Sequence, residues 1–196
     1  MGGAIHKLPI RKLLLSLLVL GIAGSIGGIG AFSAFKATTT NSGNTITSGT
    51  VSVSDNDSGS AMFSLSGMKP SDPAAVRCIT VTYGGSLDAN LRLYGAATGS
   101  LAQYVNLTIE KGTQTGGSGL TCGTYTSQAT LYSGTVNGFA TANNNYANGL
   151  VAFPGAATKW VTNDTLVYRV TVSLQNNNAA QGLNSTAGFT WEARNQ

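Results

Sequence analysis

The sequence predicts an all-β protein: a single jelly-roll-like β-sandwich preceded by an N-terminal signal helix and a flexible leader. Three observations lead there. Apolar residues alternate with polar ones at period two in several short runs, the pattern of half-buried strands. Turn residues separate those runs. Charged residues are only 9% of the chain, against about a quarter in an ordinary soluble domain, and Thr, Ser, Asn and Gly take their place. Long surface helices need Glu and Lys, which this chain hardly supplies.

Residues 1–33 read as a secretion signal. Lys7, Arg11 and Lys12 precede the apolar run Leu13 to Leu20, and small residues follow at Ala31, Ser33 and Ala34. Basic, then apolar, then small is the layout of a cleaved export signal, with Ala31, Ser33 and Ala34 as the cleavage region. A retained anchor is the rival reading, because no charge occurs between Leu13 and Phe35. Residues 34–50 form a polar leader with Phe35 and Ile46 as its large apolar residues.

Residues 51–196 carry the strand patterns. Val51 and Val53 alternate with serines, and Ala61, Phe63 and Leu65 suggest a second strand. Met68 to Pro73 is a loop, since Pro70 and Pro73 resist both helix and central strand. Further strands are expected around Ile79–Tyr83, Leu91–Leu93, Val105–Ile109, Leu166–Leu174 and Ala187–Ala193. The stretch from Gly112 to Gly149 reads as loop-rich, with Leu131-Tyr132 and Phe139 in a short helix or strand and Gly116-Gly117-Ser118-Gly119 as loop. Seven or eight such strands bury their apolar faces best as two packed sheets.

Cys78 and Cys122 are the two cysteines. An even pair in an exported chain is most simply a disulfide. A metal site or reactive thiol is the alternative, but the one histidine, His6, lies in the signal. That placement removes Ser-His-Asp, Cys-His and HExxH chemistry from the mature chain. The expectation is therefore no catalytic residue, no metal ligand and no cofactor. Asp55-Asn56-Asp57-Ser58-Gly59 starts like a calcium loop, but its glycine comes one place early and its twelfth position is Ser66, so a turn is the better reading. Without the signal's cations, eight basic residues face seven acidic ones, and no basic stripe remains to bind nucleic acid.

Several short motifs, in order, resemble the TasA/camelysin family, whose signals are cut by the SipW type of peptidase. They are Gly30-Ala31-Phe32-Ser33-Ala34-Phe35, Asn44-Thr45-Ile46-Thr47-Ser48-Gly49-Thr50-Val51, Met68-Lys69-Pro70-Ser71-Asp72, and the closing Phe189-Thr190-Trp191-Glu192-Ala193. Ser71 stands where the family has glycine. The resemblance implies a jelly roll exported to the cell surface. It also implies matrix fibres, in which the leader of one subunit adds as a strand to the next. The donor residues would then be Phe35, Thr38, Thr40 and Ile46. The partners expected are further copies of the chain and other matrix proteins, with membrane contact only through the signal before cleavage. The family's peptidase label finds no histidine in the mature chain to support it. A monomeric adhesin or carbohydrate-binding module is the alternative, with Tyr94, Tyr104, Tyr125, Tyr146 or Trp160 as contacts.

Overall fold

The computed structural model describes residues 48–196, and the signal, the cleavage region and the donor residues 35–46 lie outside it. The described chain is an all-β sandwich. Its elements are β1 (Val53–Asp55), β2 (Ala75–Tyr83), β3 (Ala89–Thr98), β4 (Val105–Ser118), β5 (Thr121–Thr135), α1 (Val136–Ala142), β6 (Leu150–Val151), β7 (Thr165–Leu174) and β8 (Thr186–Asn195). Five strands make one antiparallel sheet in the order β1-β2-β7-β4-β5, and three make the other in the order β6-β3-β8.

From β2 onward the chain changes sheet at every connection except the β4–β5 hairpin. That is the winding of a jelly roll from its second strand to its last. A complete jelly roll places its first strand beside its last. Here that position is the outer side of β8, where no strand pairs among the described residues.

The period-two runs become strands for the expected reason. Ile79, Val81 and Tyr83 on β2, Leu91 and Leu93 on β3, and Tyr168 and Val170 on β7 are all buried. Their polar alternates face outward. Such core aliphatics each contribute about 1.5–3 kcal/mol by leaving water. The Tyr168 hydroxyl and the Trp191 indole N–H are buried without a partner of hydrogen-bond geometry, although the two rings pack edge to face at 5.6 Å.

Two sequence expectations need correction. Ala61, Phe63 and Leu65 are not in a strand; the segment is irregular between Gly59 and Ala75. Met62 and Phe63 pack on the core, but no backbone hydrogen bond ties Ala61–Met68 to a neighbouring strand. The middle region is likewise not loop-rich. It contains the longest strands of the described chain, β4 and β5, which pair down to Ser118 and Thr121. Gly116 and Gly117 belong to β4, and only the tip at Gly119 and Leu120 is a turn. Thr, Ser and Gln dominate this hairpin, so apolar periodicity could not reveal it. Gly117 has φ of 86°, and a Cβ there would sit 2.6 Å from Gly123 N and Thr121 O. Glycine is the residue that closes that turn. Leu131 does lie in a strand and Phe139 in α1, where the Thr135 hydroxyl caps the helix by accepting from Gly138 N at 3.0 Å.

The hairpin reaches past its own sheet neighbours to the far strand β2. Cys78 and Cys122 form a disulfide with Cα atoms 5.0 Å apart. The Cys78 N–H donates to Leu120 O at 3.1 Å, and the Asn56 amide bridges Gly119 O (2.7 Å) and Thr80 N (2.8 Å). Tyr125 on the hairpin stacks on Arg169 of β7, whose guanidinium carbon lies 4.4 Å from the ring centre and pairs with Glu110. Burial, with Glu110 nearby, pushes the Tyr125 hydroxyl up to about 12.

Burial also raises Tyr168, which is fully enclosed. Both phenols are neutral in the fold, whereas in the unfolded chain they ionise near their ordinary value of 10.0. Their contribution to stability is therefore complete below pH 10 and is lost as pH rises toward and through the folded-state values. Thermal melts of Tyr168→Phe between pH 7 and pH 12 are expected to show a weaker alkaline loss than the parent. At pH 7 the change is expected to stay within about 1 kcal/mol, because the hydroxyl has no partner to lose. An alkaline limb unchanged by the substitution would place the sensitivity elsewhere.

Candidate functional site: the outer edge of β8

The turn at Asp55–Ser60 is closed by its own carboxylates. Asp57 N donates to Asp55 Oδ1 (3.2 Å), and Gly59 N to Asp57 Oδ1 (2.6 Å). Burial raises the Asp55 carboxyl, and the Asp57 carboxylate adds to that rise. The expected turn is what forms. Among the described residues no three His, Cys, Asp or Glu side chains come together in the manner of metal ligands.

Of the aromatic contacts expected for a binding module, only Tyr94 and Tyr146 come together, joined through Glu192 and Arg194 on the outer face of the β3–β8 pair. Trp160 is fully buried and donates its indole N–H to Ala152 O at 2.8 Å, so it is a core residue and not an exposed contact. Tyr94, Tyr104, Tyr125 and Tyr146 are half-buried. Tyr125 lies on the hairpin beside Arg169. Tyr146 is covered by Arg92 and Arg194, at 5.5 and 4.0 Å from its ring centre. Tyr94 donates to Glu192 Oε2 at 2.8 Å. That bond and the Arg194 guanidinium hold the Glu192 carboxyl below the usual carboxylate value, Arg194 being the larger cause.

What the fold does assemble is a strand edge. The N–H groups of Ala89 and Gly95 on β3 bond away from β8, to Trp160 O (3.0 Å) and Asn143 O (2.9 Å). Their β8 partners are Asn195 and Phe189. In an antiparallel pair the two residues of such a position both direct N–H and C=O outward. Ala187, Phe189, Trp191 and Ala193 therefore present donors and acceptors along the open side. Among the described residues nothing bonds to them.

Of the other edge strands, β1 and β6 span only three and two residues, and the long one, β5, differs. β5 has two bulges against β4, at Gln128 and Leu131, which break its register. Bulges of this kind blunt an edge against further pairing. β8 runs in unbroken register with β3 over ten residue pairs. Its inward residues Phe189 and Trp191 border a groove of about 470 Å³. Met62, Phe63 and Leu65 line it too, as do the core residues Val105 and Val172 and the polar Asp57 and Ser60. Sequence reasoning singled out the closing strand but not its open side, because which edge stays unpaired depends on the order of strands.

Among the described residues, fold and site together define an all-β sandwich with a long, regular strand edge that no other strand covers, beside a largely apolar groove. Compared with known proteins, the chain matches no family model and no curated protein.

Proposed function

We propose that this chain is a secreted structural subunit that assembles into cell-surface or biofilm-matrix fibres by β-strand addition. The observation that carries the reading is the β8 edge: regular, unbulged, uncharged on its inward side, and bordered by an apolar groove. An incoming strand would gain backbone hydrogen bonds from Ala187, Phe189, Trp191 and Ala193. Its alternate side chains would enter the groove, the usual division of labour in strand addition. The leader of a second copy, residues 34–50, is the proposed donor, with Phe35, Thr38, Thr40 and Ile46 as its contacts. A head-to-tail contact of this type propagates into a filament unless rotation closes it. The disulfide is compatible with an oxidising, extracellular compartment. The family resemblance supports the same reading.

Removing residues 32–46 is expected to abolish filaments while leaving the sandwich folded. Electron microscopy of the purified chain with and without that segment checks the first half, and thermal melts check the second. Filaments formed by the shortened chain would overturn the donor role of the leader.

A further inference from the structure

The segment Ala61–Ser66 has the sequence of a strand and the conformation of a loop. Ala61, Phe63 and Leu65 alternate with Met62, Ser64 and Ser66, yet the segment pairs with no strand among the described residues. Phe63 is only partly buried, with the Arg77 guanidinium 5.9 Å from its ring centre. Leu65 is 43% exposed, a poor position for a residue with strand-forming neighbours.

Its place in the fold explains the pattern. The strand that precedes β2 in a jelly roll lies beside the last strand. Ala61–Ser66 precedes β2, and its Ala61, Met62, Phe63 and Leu65 line the same groove as Phe189 and Trp191 of β8. The chain is fixed on one side at Asn56, by its bonds to Gly119 and Thr80, and on the other by β2 from Ala75. Four residues link Asn56 to Ala61, and extended chain spans about 3.3–3.6 Å per residue. Adjacent strands need a separation of only about 4.8 Å.

We infer that Ala61–Ser66 is a latent strand of this sandwich, which pairs with the outer edge of β8 within the same chain and so competes with any strand arriving from outside. In the paired state Ala61, Phe63 and Leu65 face the core and the groove closes. In the open state no described residue pairs with the edge. The inference builds on the strand-addition reading, since it supplies the competitor that would hold a monomer back from assembly.

Amide hydrogen exchange on the mature chain, at concentrations low enough to keep it monomeric, tests the competition directly. Gly188, Thr190 and Glu192 bond to β3 in either state and report that the fold is intact. The amides of Phe189 and Trp191 bond only when a strand covers the edge. They are expected to be protected at least about tenfold over open amides, independently of protein concentration. Leu65→Lys leaves the open state almost untouched but would force a charge into the core of the paired one. It is expected to remove that protection. Ser64→Lys, facing solvent in both states, is expected to keep it. Equal exchange of Phe189 and Trp191 in all three chains would overturn the latent strand, whether or not filaments form. Protection that Leu65→Lys removes, in a chain that never forms filaments, would sustain the latent strand and reject the assembly reading instead.

Discussion

Replacing both cysteines, as Cys78→Ser with Cys122→Ser, is expected to lower the unfolding free energy by about 4 kcal/mol. The bond closes a loop of 44 residues, and the loss is what loop-closure entropy gives for that length. The place of the bond makes it more than a generic staple. β2 and β5 are not neighbours in the sheet, with β7 and β4 between them. The hairpin tip reaches β2 through the Leu120 carbonyl, the Asn56 bridge and the disulfide, with the Leu120 side chain as its one large apolar contact on the core. Two or three exposed hydrogen bonds contribute about 1 kcal/mol each, too little to hold a long polar arm by themselves. Urea unfolding of parent and double variant measures the loss. Limited proteolysis within residues 113–126 is expected to become fast in the variant, because the arm would open before the sandwich does. A loss under 1 kcal/mol with an uncut arm would mean that the tip contacts suffice without the bond.

The sandwich was legible in the sequence wherever one face of a strand is apolar. Leu166 to Leu174 and Ile79 to Tyr83 announce themselves because every second residue enters the core. The β4–β5 hairpin was hidden for the opposite reason. Beyond Lys111 its faces are mostly Thr, Ser, Gln and Gly, so it carries no apolar alternation, and what holds it is cross-strand pairing, the Tyr125–Arg169 stack and a disulfide. Ala61–Leu65 shows the reverse failure. The alternation is present, but a strand also needs an edge to pair with, and local pattern cannot report whether that edge has been reached.

Less of the candidate site was readable. The cysteine pair followed from its number and the export signal, and the structure joins the two. Trp160, offered with the tyrosines as a contact of a binding module, is a core residue. Its burial comes from β3, seventy residues away in sequence, through its pairing with Ala89. The open side of β8 depends on strand order, which emerges only when all crossovers are known. The residues that matter there, Phe189 and Trp191, were visible as a closing strand, but their role as an edge was not.

Trp160→Ala is expected to cost about 3–5 kcal/mol, the range for emptying a large aromatic site in a core. Trp160 is fully buried, and its backbone exchanges two hydrogen bonds with Ala89, at 2.9 and 3.0 Å. Alanine keeps those bonds but leaves a cavity and strips the Ala152 carbonyl of the indole donor 2.8 Å away. A buried acceptor left without a partner adds its own penalty of about 1–3 kcal/mol if water cannot reach it. Trp160→Phe separates the two contributions, since it fills most of the volume and removes only the donor. Its expected cost is about 1–2 kcal/mol, so the ordering parent, Phe, Ala in urea midpoints is the result to look for. Equal midpoints for all three would mean that Trp160 is not the core anchor its burial indicates. The Phe variant also leaves Trp191 as the only indole in residues 48–196. Trp191 lines the groove beside the β8 edge, so its emission in that variant reads the site alone. A blue shift on concentrating the Phe variant is then expected if a strand covers the edge during assembly, while emission independent of concentration would mean that β8 stays uncovered.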